Sequence, residues 1–240
     1  MASQQLQYSN GNKNYIGYLA WDEKQQGARP GILVIPDAFG LGEHARERAD
    51  RLAQAGYVAL AADIHGDGFL HADLASAISA IQAMYADRAA WRAMATAAFD
   101  ALSAQPNVDR ARLGAIGFCF GGTTCLELAR TGAAVGVIAA FHAGLNAPLA
   151  EDAGRIRAKV LINHGAEDPL VKPEAIAEFM AEMRREAIDW QFVHHGNTVH
   201  SFTEPTASRL GAPAFAYNKS AEDRSWAAMR QLFDETFEAR

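Results

Sequence analysis

The chain of 240 residues has a hydrophobic content of 50%, a charged content of 21% and a formal net charge of −6. These values exclude a disordered or fibrous chain, and they give no reason to expect nucleic acid or an anionic membrane as a partner. The length suits one substantial core, and the sequence contains no Pro/Ser-rich linker and no internal repeat. We therefore expect a single domain over residues 1–240.

The sequence also bears on the compartment. Its first residues, MASQQLQY, lack the basic and apolar regions of a secretion signal, and no apolar run is long enough to cross a bilayer. Two cysteines suit a reducing compartment better than a disulfide framework. We expect a cytoplasmic protein without a membrane partner, either a monomer or a small homo-oligomer.

Continuous apolar runs alternate with helical patterns along the chain. An N-terminal hairpin is predicted at residues 5–8 and 15–20, and buried strands at 31–36, 57–62, 112–118, 134–141, 159–163 and 190–194. Helices are predicted at 43–55, 73–104 (two helices), 123–131, 173–186 and 221–237. Apolar strands that do not alternate in polarity are typical of a parallel sheet covered on both faces. The pattern predicts an α/β fold with a mostly parallel central sheet and helices on both faces.

The segment from Gly114 to Gly122, GAIGFCFGG, ends a buried strand and leads directly into a helical pattern. Its Gly-x-Cys-x-Gly motif has the layout of a nucleophile elbow with Cys119 at the tip. A sharp reversal from strand to helix strains the tip residue and leaves no room for side chains two residues to either side. The helix N-terminus favours a thiolate, so Cys119 is the candidate nucleophile. The alternative is a small buried hydrophobe in a glycine-rich turn, and Cys125 is expected in the core.

Candidate partners for this cysteine follow two later strands. In a parallel sheet, functional residues collect at the carboxyl ends of the strands. Asp168 follows one such strand and His200 the next, which gives the order nucleophile, acid, histidine of α/β-hydrolases. An imidazole must take the thiol proton, and a carboxylate must orient the imidazole. Glu167 remains a rival acid, and His194 and His195 remain rival bases.

The segments GFCFGG, GAEDP and GNTVHSF together resemble the dienelactone hydrolase family, and the resemblance covers essentially the whole chain. It implies an α/β-hydrolase fold and cleavage of a small-molecule ester or lactone. It also implies that Cys119 is the nucleophile, that His200 is base and then acid, and that Asp168 orients His200. The family's oxyanion hole would use the backbone N–H groups of Ala38 and Phe120.

The chain departs from the family near the expected substrate site. Where the family carries a glutamate that hydrogen-bonds the resting thiol, this chain has Asp37, which either takes that part or is a turn or helix-entry aspartate. Phe39, two residues further on, is also a candidate substrate-binding residue. Glu204 stands where dienelactone-cleaving members place an arginine that holds the substrate carboxylate. Arg88 and Arg92 lie where another such arginine is expected, or are solvated helix charges. We therefore expect neutral esters or lactones to be preferred over anionic ones.

Three other kinds of protein fit the sequence less well. Asp63, His65 and Asp67 are close enough in the sequence to suggest a metal site, but no pair of ligands at helical spacing supports one. A thiol-redox protein would need a C-x-x-C pair, whereas Cys119 and Cys125 are six residues apart. A non-catalytic binding protein on the same fold would be expected to lose one member of the triad. We expect a cysteine hydrolase that uses neither a metal nor a cofactor.

Overall fold

The computed structural model describes residues 1–238. Within them the strands are β1 (Ala2–Asn10), β2 (Lys13–Trp21), β3 (Arg29–Ile35), β4 (Val58–Ala61), β5 (Val108–Phe118), β6 (Val137–Phe141), β7 (Lys159–Gly165) and β8 (Trp190–His195). The α-helices are α1 (Glu43–Gln54), α2 (Leu74–Ala86), α3 (Arg88–Ser103), α4 (Phe120–Arg130), α5 (Pro173–Arg185) and α6 (Lys219–Glu238). Every predicted element therefore has a counterpart, and the predicted break within 73–104 separates α2 from α3.

The strands follow the order β1-β2-β4-β3-β5-β6-β7-β8. The β1–β2 and β2–β4 pairs are antiparallel, whereas β3–β4, β6–β7 and β7–β8 are parallel. Every residue of β4 and of β6 is buried. Since successive side chains of a strand point to opposite faces, both faces of these strands are covered. The predicted fold class, α/β with a mostly parallel sheet, is confirmed.

Internal contacts divide the chain into two compact units, the first from Met1 to Ile116 and the second from Gly117 onward. The first unit holds β1 to β4 and α1 to α3, and β5 runs from it into the second. The second unit holds β6 to β8 and α4 to α6. The single domain over 1–240 stays a prediction. Among the described residues, no helix combines the length and apolar character that crossing a bilayer requires.

In the first unit, the loop after β4 is built around the fully buried side chain of Asp63. Its carboxylate accepts hydrogen bonds from the backbone N–H groups of Ile16, His65, Gly66 and Gly68. These donors replace the water that a buried carboxylate loses, so Asp63 organises the loop. Within residues 1–238, no cluster of three or more His, Cys, Asp or Glu side chains is arranged to hold a metal ion.

In the second unit, a buried ionic cluster joins α4 to α5. Arg130 donates from Nε and Nη2 to the two carboxylate oxygens of Glu182, at 3.0 and 2.5 Å, and from Nη1 to Glu127 at 2.8 Å. All three side chains are almost completely buried. Because a buried charge is tolerated only when it is paired, this cluster fixes the C-terminal end of α4 against α5. The other end of α4 carries the predicted nucleophile elbow.

Candidate active site

Cys119 occupies the tight turn between β5 and α4. Its backbone has φ 53° and ψ −118°, a conformation that residues other than glycine rarely adopt. A β-carbon on Gly117 would lie 2.1 Å from the carbonyl oxygen of Gly121, and one on Gly122 would lie 2.7 Å from the β-carbon of Ala143. The close approach of the first turn of α4 therefore requires glycine at Gly117, and the packing of α4 against the segment after β6 requires it at Gly122. Cys119 itself is partly exposed.

Asp168 and His200 meet across the loops that follow β7 and β8. Oδ2 of Asp168 lies 2.7 Å from Nδ1 of His200, and the two residues are 6% and 3% exposed. Oδ1 of Asp168 accepts the N–H of Leu170 at 2.9 Å, which fixes the carboxylate in place. The opposite ring nitrogen of His200, Nε2, is buried and has no hydrogen-bond partner among residues 1–238. Asp168 thus holds the ring from one side and leaves Nε2 available.

The rival acid and bases are engaged elsewhere. The carboxylate of Glu167 accepts the backbone N–H of Thr198 at 2.7 Å, so it holds the loop after β8. Nε2 of His195 lies 3.3 Å from the side-chain oxygen of Asn163. His194 is exposed. Each therefore has a structural role or a surface position.

The protonation of His200 is set by its surroundings. Burial alone would lower its pKa, but negative charge at Cys119 and the hydrogen bond that the ring donates to Asp168 raise the pKa of His200 to about 10. A negative charge at Cys119 therefore favours the protonated imidazole. This arrangement can hold a thiolate–imidazolium pair, in which a nucleophile and a proton donor are both ready before substrate arrives.

The loop that carries His200 is held by a second segment that the sequence did not point to. The N–H of His200 donates to the carbonyl of Ala214 at 3.0 Å, and the N–H of Ala216 donates to the carbonyl of His200 at 3.1 Å. The ring of Phe215 packs edge-on against the imidazole, with ring centroids 5.7 Å apart. The backbone and the ring of His200 are therefore both restrained.

A second buried histidine, His142, lies beside this pair and was also missed in the sequence. Its Nδ1 accepts the backbone N–H of Cys119 at 3.1 Å, and its Nε2 lies 2.8 Å from Oγ1 of Thr203. Its ring centroid is 5.1 Å from that of His200. The available signal was its position: His142 directly follows β6, at the carboxyl end of a buried parallel strand.

The residues predicted to line the oxyanion hole and substrate site lie in both units. In the first, Oδ1 of Asp37 accepts the N–H of Phe39 at 2.9 Å, so Asp37 does open a turn. Ala38 is buried, and its carbonyl oxygen lies 2.9 Å from Nε2 of His65. In the second, Phe120 begins α4 directly after the turn. The roles of these residues toward substrate remain predictions.

The charged residues predicted to influence substrate selection interact with other groups of the protein. Oε1 of Glu204 accepts hydrogen bonds from the N–H and the hydroxyl of Thr206, at 2.9 and 2.7 Å. Glu204 is partly exposed and lies four residues after His200. Arg88 and Arg92 belong to α3 in the first unit and are also partly exposed. The influence of Glu204 on substrate charge remains a prediction.

A buried parallel sheet with a strained cysteine after β5, and with an acid and a histidine in contact after β7 and β8, defines an α/β-hydrolase. The model of the dienelactone hydrolase family matches residues 16–237. The chain therefore belongs to the dienelactone hydrolase family and is a hydrolase, as the sequence indicated. Members of this family act on small-molecule esters or lactones.

Individual relatives agree with this assignment. A solved structure named m3DLH is 57% identical, with 98% of each chain covered and a TM-score of 0.97. The structure of a dienelactone hydrolase-like promiscuous phosphotriesterase from metagenomic libraries is 54% identical, with 98% of each chain covered and a TM-score of 0.96. A probable 2-oxo-3-(5-oxofuran-2-ylidene)propanoate lactonase from Bradyrhizobium sp. is 30% identical over 74% of this chain and 75% of its own length.

Proposed function

We propose that the protein hydrolyses ester or lactone bonds through a triad in which Cys119 is the nucleophile, His200 the general base and acid, and Asp168 the orienting carboxylate. The observation that carries the proposal is the 2.7 Å contact between Asp168 Oδ2 and His200 Nδ1. It leaves Nε2 of a buried imidazole available beside a cysteine whose charge raises the pKa of that imidazole. Nucleophilic catalysis by a triad needs a nucleophile, a base and a carboxylate that orients the base.

The reaction proceeds in two halves. The Cys119 thiolate attacks the carbonyl carbon, and the carbonyl oxygen becomes an oxyanion bound by the N–H of Phe120 and, as in the family, by that of Ala38. The intermediate collapses to a thioester, and the His200 imidazolium gives its proton to the leaving oxygen. The imidazole, now neutral, then takes a proton from water, and the resulting hydroxide equivalent attacks the thioester. Acid and thiolate are released, and Asp168 stabilises the imidazolium throughout.

The test is a screen of activated esters and lactones of graded size and charge on wild type and Cys119→Ala. We expect Cys119→Ala to lose nearly all activity because no other described group in the turn can supply the nucleophile. Cys125→Ala is the matched control, because Cys125 is fully buried and burial raises the pKa of its thiol far above the ordinary range. Equal losses in both variants would contradict a nucleophilic role for Cys119.

Within this function we propose a preference for neutral over carboxylated substrates. Glu204 lies in the loop that carries His200, and a carboxylate there repels an anion that approaches the thiol. Glu204→Arg should shift kcat/KM toward the carboxylated member of a matched substrate pair, through KM more than kcat. Glu204→Gln is the control, because it removes the charge and keeps an acceptor for Thr206. A wild-type enzyme that favours the carboxylated member would refute this preference.

A second activity, phosphotriester hydrolysis, is supported by the 54% identical relative that is described as a promiscuous phosphotriesterase. We propose that it uses the same thiolate, which would attack phosphorus and expel the aryloxide, and the His200 imidazolium would give its proton to that oxygen while the backbone donors bind the phosphoryl oxygen. The neutral imidazole would then take a proton from water, whose oxygen attacks phosphorus, breaks the S–P bond and releases the dialkyl phosphate and the thiolate. A neutral phosphotriester such as an aryl dialkyl phosphate is the suitable probe. Cys119→Ala should abolish both activities. Phosphotriester turnover that survives in this variant would separate the two reactions.

A further inference from the structure

His142 is a buried residue in a strained backbone conformation for which the proposed triad gives no reason. It is 2% exposed and has φ 41°, in the left-handed region. Its own N–H donates to the carbonyl of Asn163 at 2.8 Å and so continues the pairing of β6 with β7. Strain of this kind costs on the order of 1–3 kcal/mol and persists only where surrounding contacts hold it. The contacts of the His142 side chain therefore need an explanation.

The hydrogen bonds of the ring determine its tautomer. The Cys119 N–H is shared between the carbonyl of Phe141, at 3.0 Å, and Nδ1 of His142, at 3.1 Å. A backbone N–H can only donate, so an Nδ1 that accepts from it is unprotonated. The ring proton is then on Nε2, which donates to Oγ1 of Thr203 at 2.8 Å. A proton on Nδ1 would place two N–H groups against each other. The geometry therefore holds His142 as a neutral imidazole with one accepting and one donating nitrogen.

The ring also joins the two halves of the proposed nucleophile–base pair. Through Nδ1 it binds the backbone of Cys119, and through Nε2 it binds Thr203, which lies three residues after His200 and is 1% exposed. Its edge packs against the His200 ring, with centroids 5.1 Å apart and the planes at 63°. One rigid side chain thus contacts the nucleophile, the base and the loop that carries the base.

We propose that His142 is a positioning residue that sets the placement of the Cys119 thiolate relative to the His200 imidazole. This inference rests on the proposed function and deepens it. A positioning effect acts on the orientation of the reacting groups, so its loss should lower kcat and leave KM unchanged. A displacement of about 1 Å is enough to change a rate by about 10²-fold.

Three substitutions separate this role from simple packing. His142→Asn keeps an acceptor where Nδ1 lies and tolerates the left-handed backbone. His142→Phe keeps the ring shape without its nitrogens, and Thr203→Val removes the acceptor for Nε2–H. We expect kcat to fall about 10²-fold in His142→Phe, about 10-fold in Thr203→Val and less than about 10-fold in His142→Asn, with KM within about threefold of wild type. His194→Phe is the control, because the same change at an exposed histidine should leave kcat unchanged.

Alkylation of Cys119 by iodoacetamide is a readout that needs no turnover. We expect His142→Phe to slow the reaction at pH 7 by at least about fivefold while His142→Asn stays close to wild type, because a displaced imidazolium no longer stabilises the thiolate. Thermal melting reports the folded fraction for each variant. Three results would overturn the proposal: equal losses in the Phe and Asn variants, a change in KM instead of kcat, or a kcat and an alkylation rate in His142→Phe that equal those of wild type. If Cys119→Ala keeps its activity, the proposed function fails instead, and that result is distinguishable from all three.

Discussion

The tight contact between β5 and α4 allows a sharp prediction for Gly117→Ala. The added β-carbon would lie 2.1 Å from the carbonyl oxygen of Gly121 and 2.6 Å from the backbone nitrogen of Gly122. Real β-carbons do not approach other heavy atoms below 3.0 Å, so the turn would have to open by about 0.9 Å, the difference between 3.0 and 2.1 Å. Both neighbours are backbone atoms, so no side chain can rotate to relieve the contact.

The expected effect has two parts. Overpacking of this kind costs about 1–3 kcal/mol of unfolding free energy. The first turn of α4 also carries the N–H of Phe120 and follows the Cys119 thiol, so an opening of about 1 Å should lower kcat by about 10²-fold. The loss of activity should therefore exceed what the unfolded fraction explains.

The assay combines steady-state ester hydrolysis with urea unfolding monitored by circular dichroism. Gly196→Ala is the matched control, because a β-carbon there has no neighbour within 4 Å. We expect it to keep wild-type activity and to change the unfolding free energy by no more than about 0.5 kcal/mol. Wild-type kcat in Gly117→Ala, or the same effect in both variants, would refute the steric reasoning.

Further predictions follow from the ionisable groups. Asp168→Asn should lower kcat by about 10²–10⁴-fold because the ring loses its orienting acceptor, whereas Glu167→Gln should lose far less, and steady-state kinetics will distinguish them. The raised pKa of His200 keeps its proton in place across neutral pH, so kcat/KM should decline only as pH rises toward about 10, and Asp168→Asn should move this decline to lower pH. Arg130→Met should lower the unfolding free energy by about 3–5 kcal/mol, since two buried carboxylates lose their partner, and an added Glu182→Leu should restore part of the loss; no change would contradict the pairing.

Features that depend on neighbouring residues were predictable from the sequence. Buried strands such as β3 and β4 show as short apolar runs, and Gly56 correctly marked the end of the helix between them. The start of α4 was less accurate: the pattern predicted residue 123, but the helix begins at Phe120. Gly121 and Gly122 are poor helix formers, so their presence hid the first turn, and only the close packing of that turn explains them.

Features that depend on distant residues were not predictable. Glu167 and Asp168 are adjacent and chemically alike, so the residues alone left both open and only the family resemblance favoured Asp168; the path of the loop decides which of them contacts His200. His142 is indistinguishable in the sequence from any histidine after a strand, because its partners come from other loops. Arg130 finds its bidentate partner 52 residues further along the chain. In each case the fold supplies the contact that gives the residue its role.

The two cysteines differ in a way that affects how the protein loses and regains activity when its thiols are oxidised. A thiolate that is partly exposed, as proposed for Cys119, is the form that peroxides oxidise to sulfenic acid. Rescue by an internal disulfide would need a second reactive thiol, but Cys125 is fully buried and is the one other cysteine of the chain. Reduction must therefore come from an external thiol. Added dithiothreitol should restore the activity of briefly oxidised protein, and it should fail once the sulfur has reached the sulfinic state.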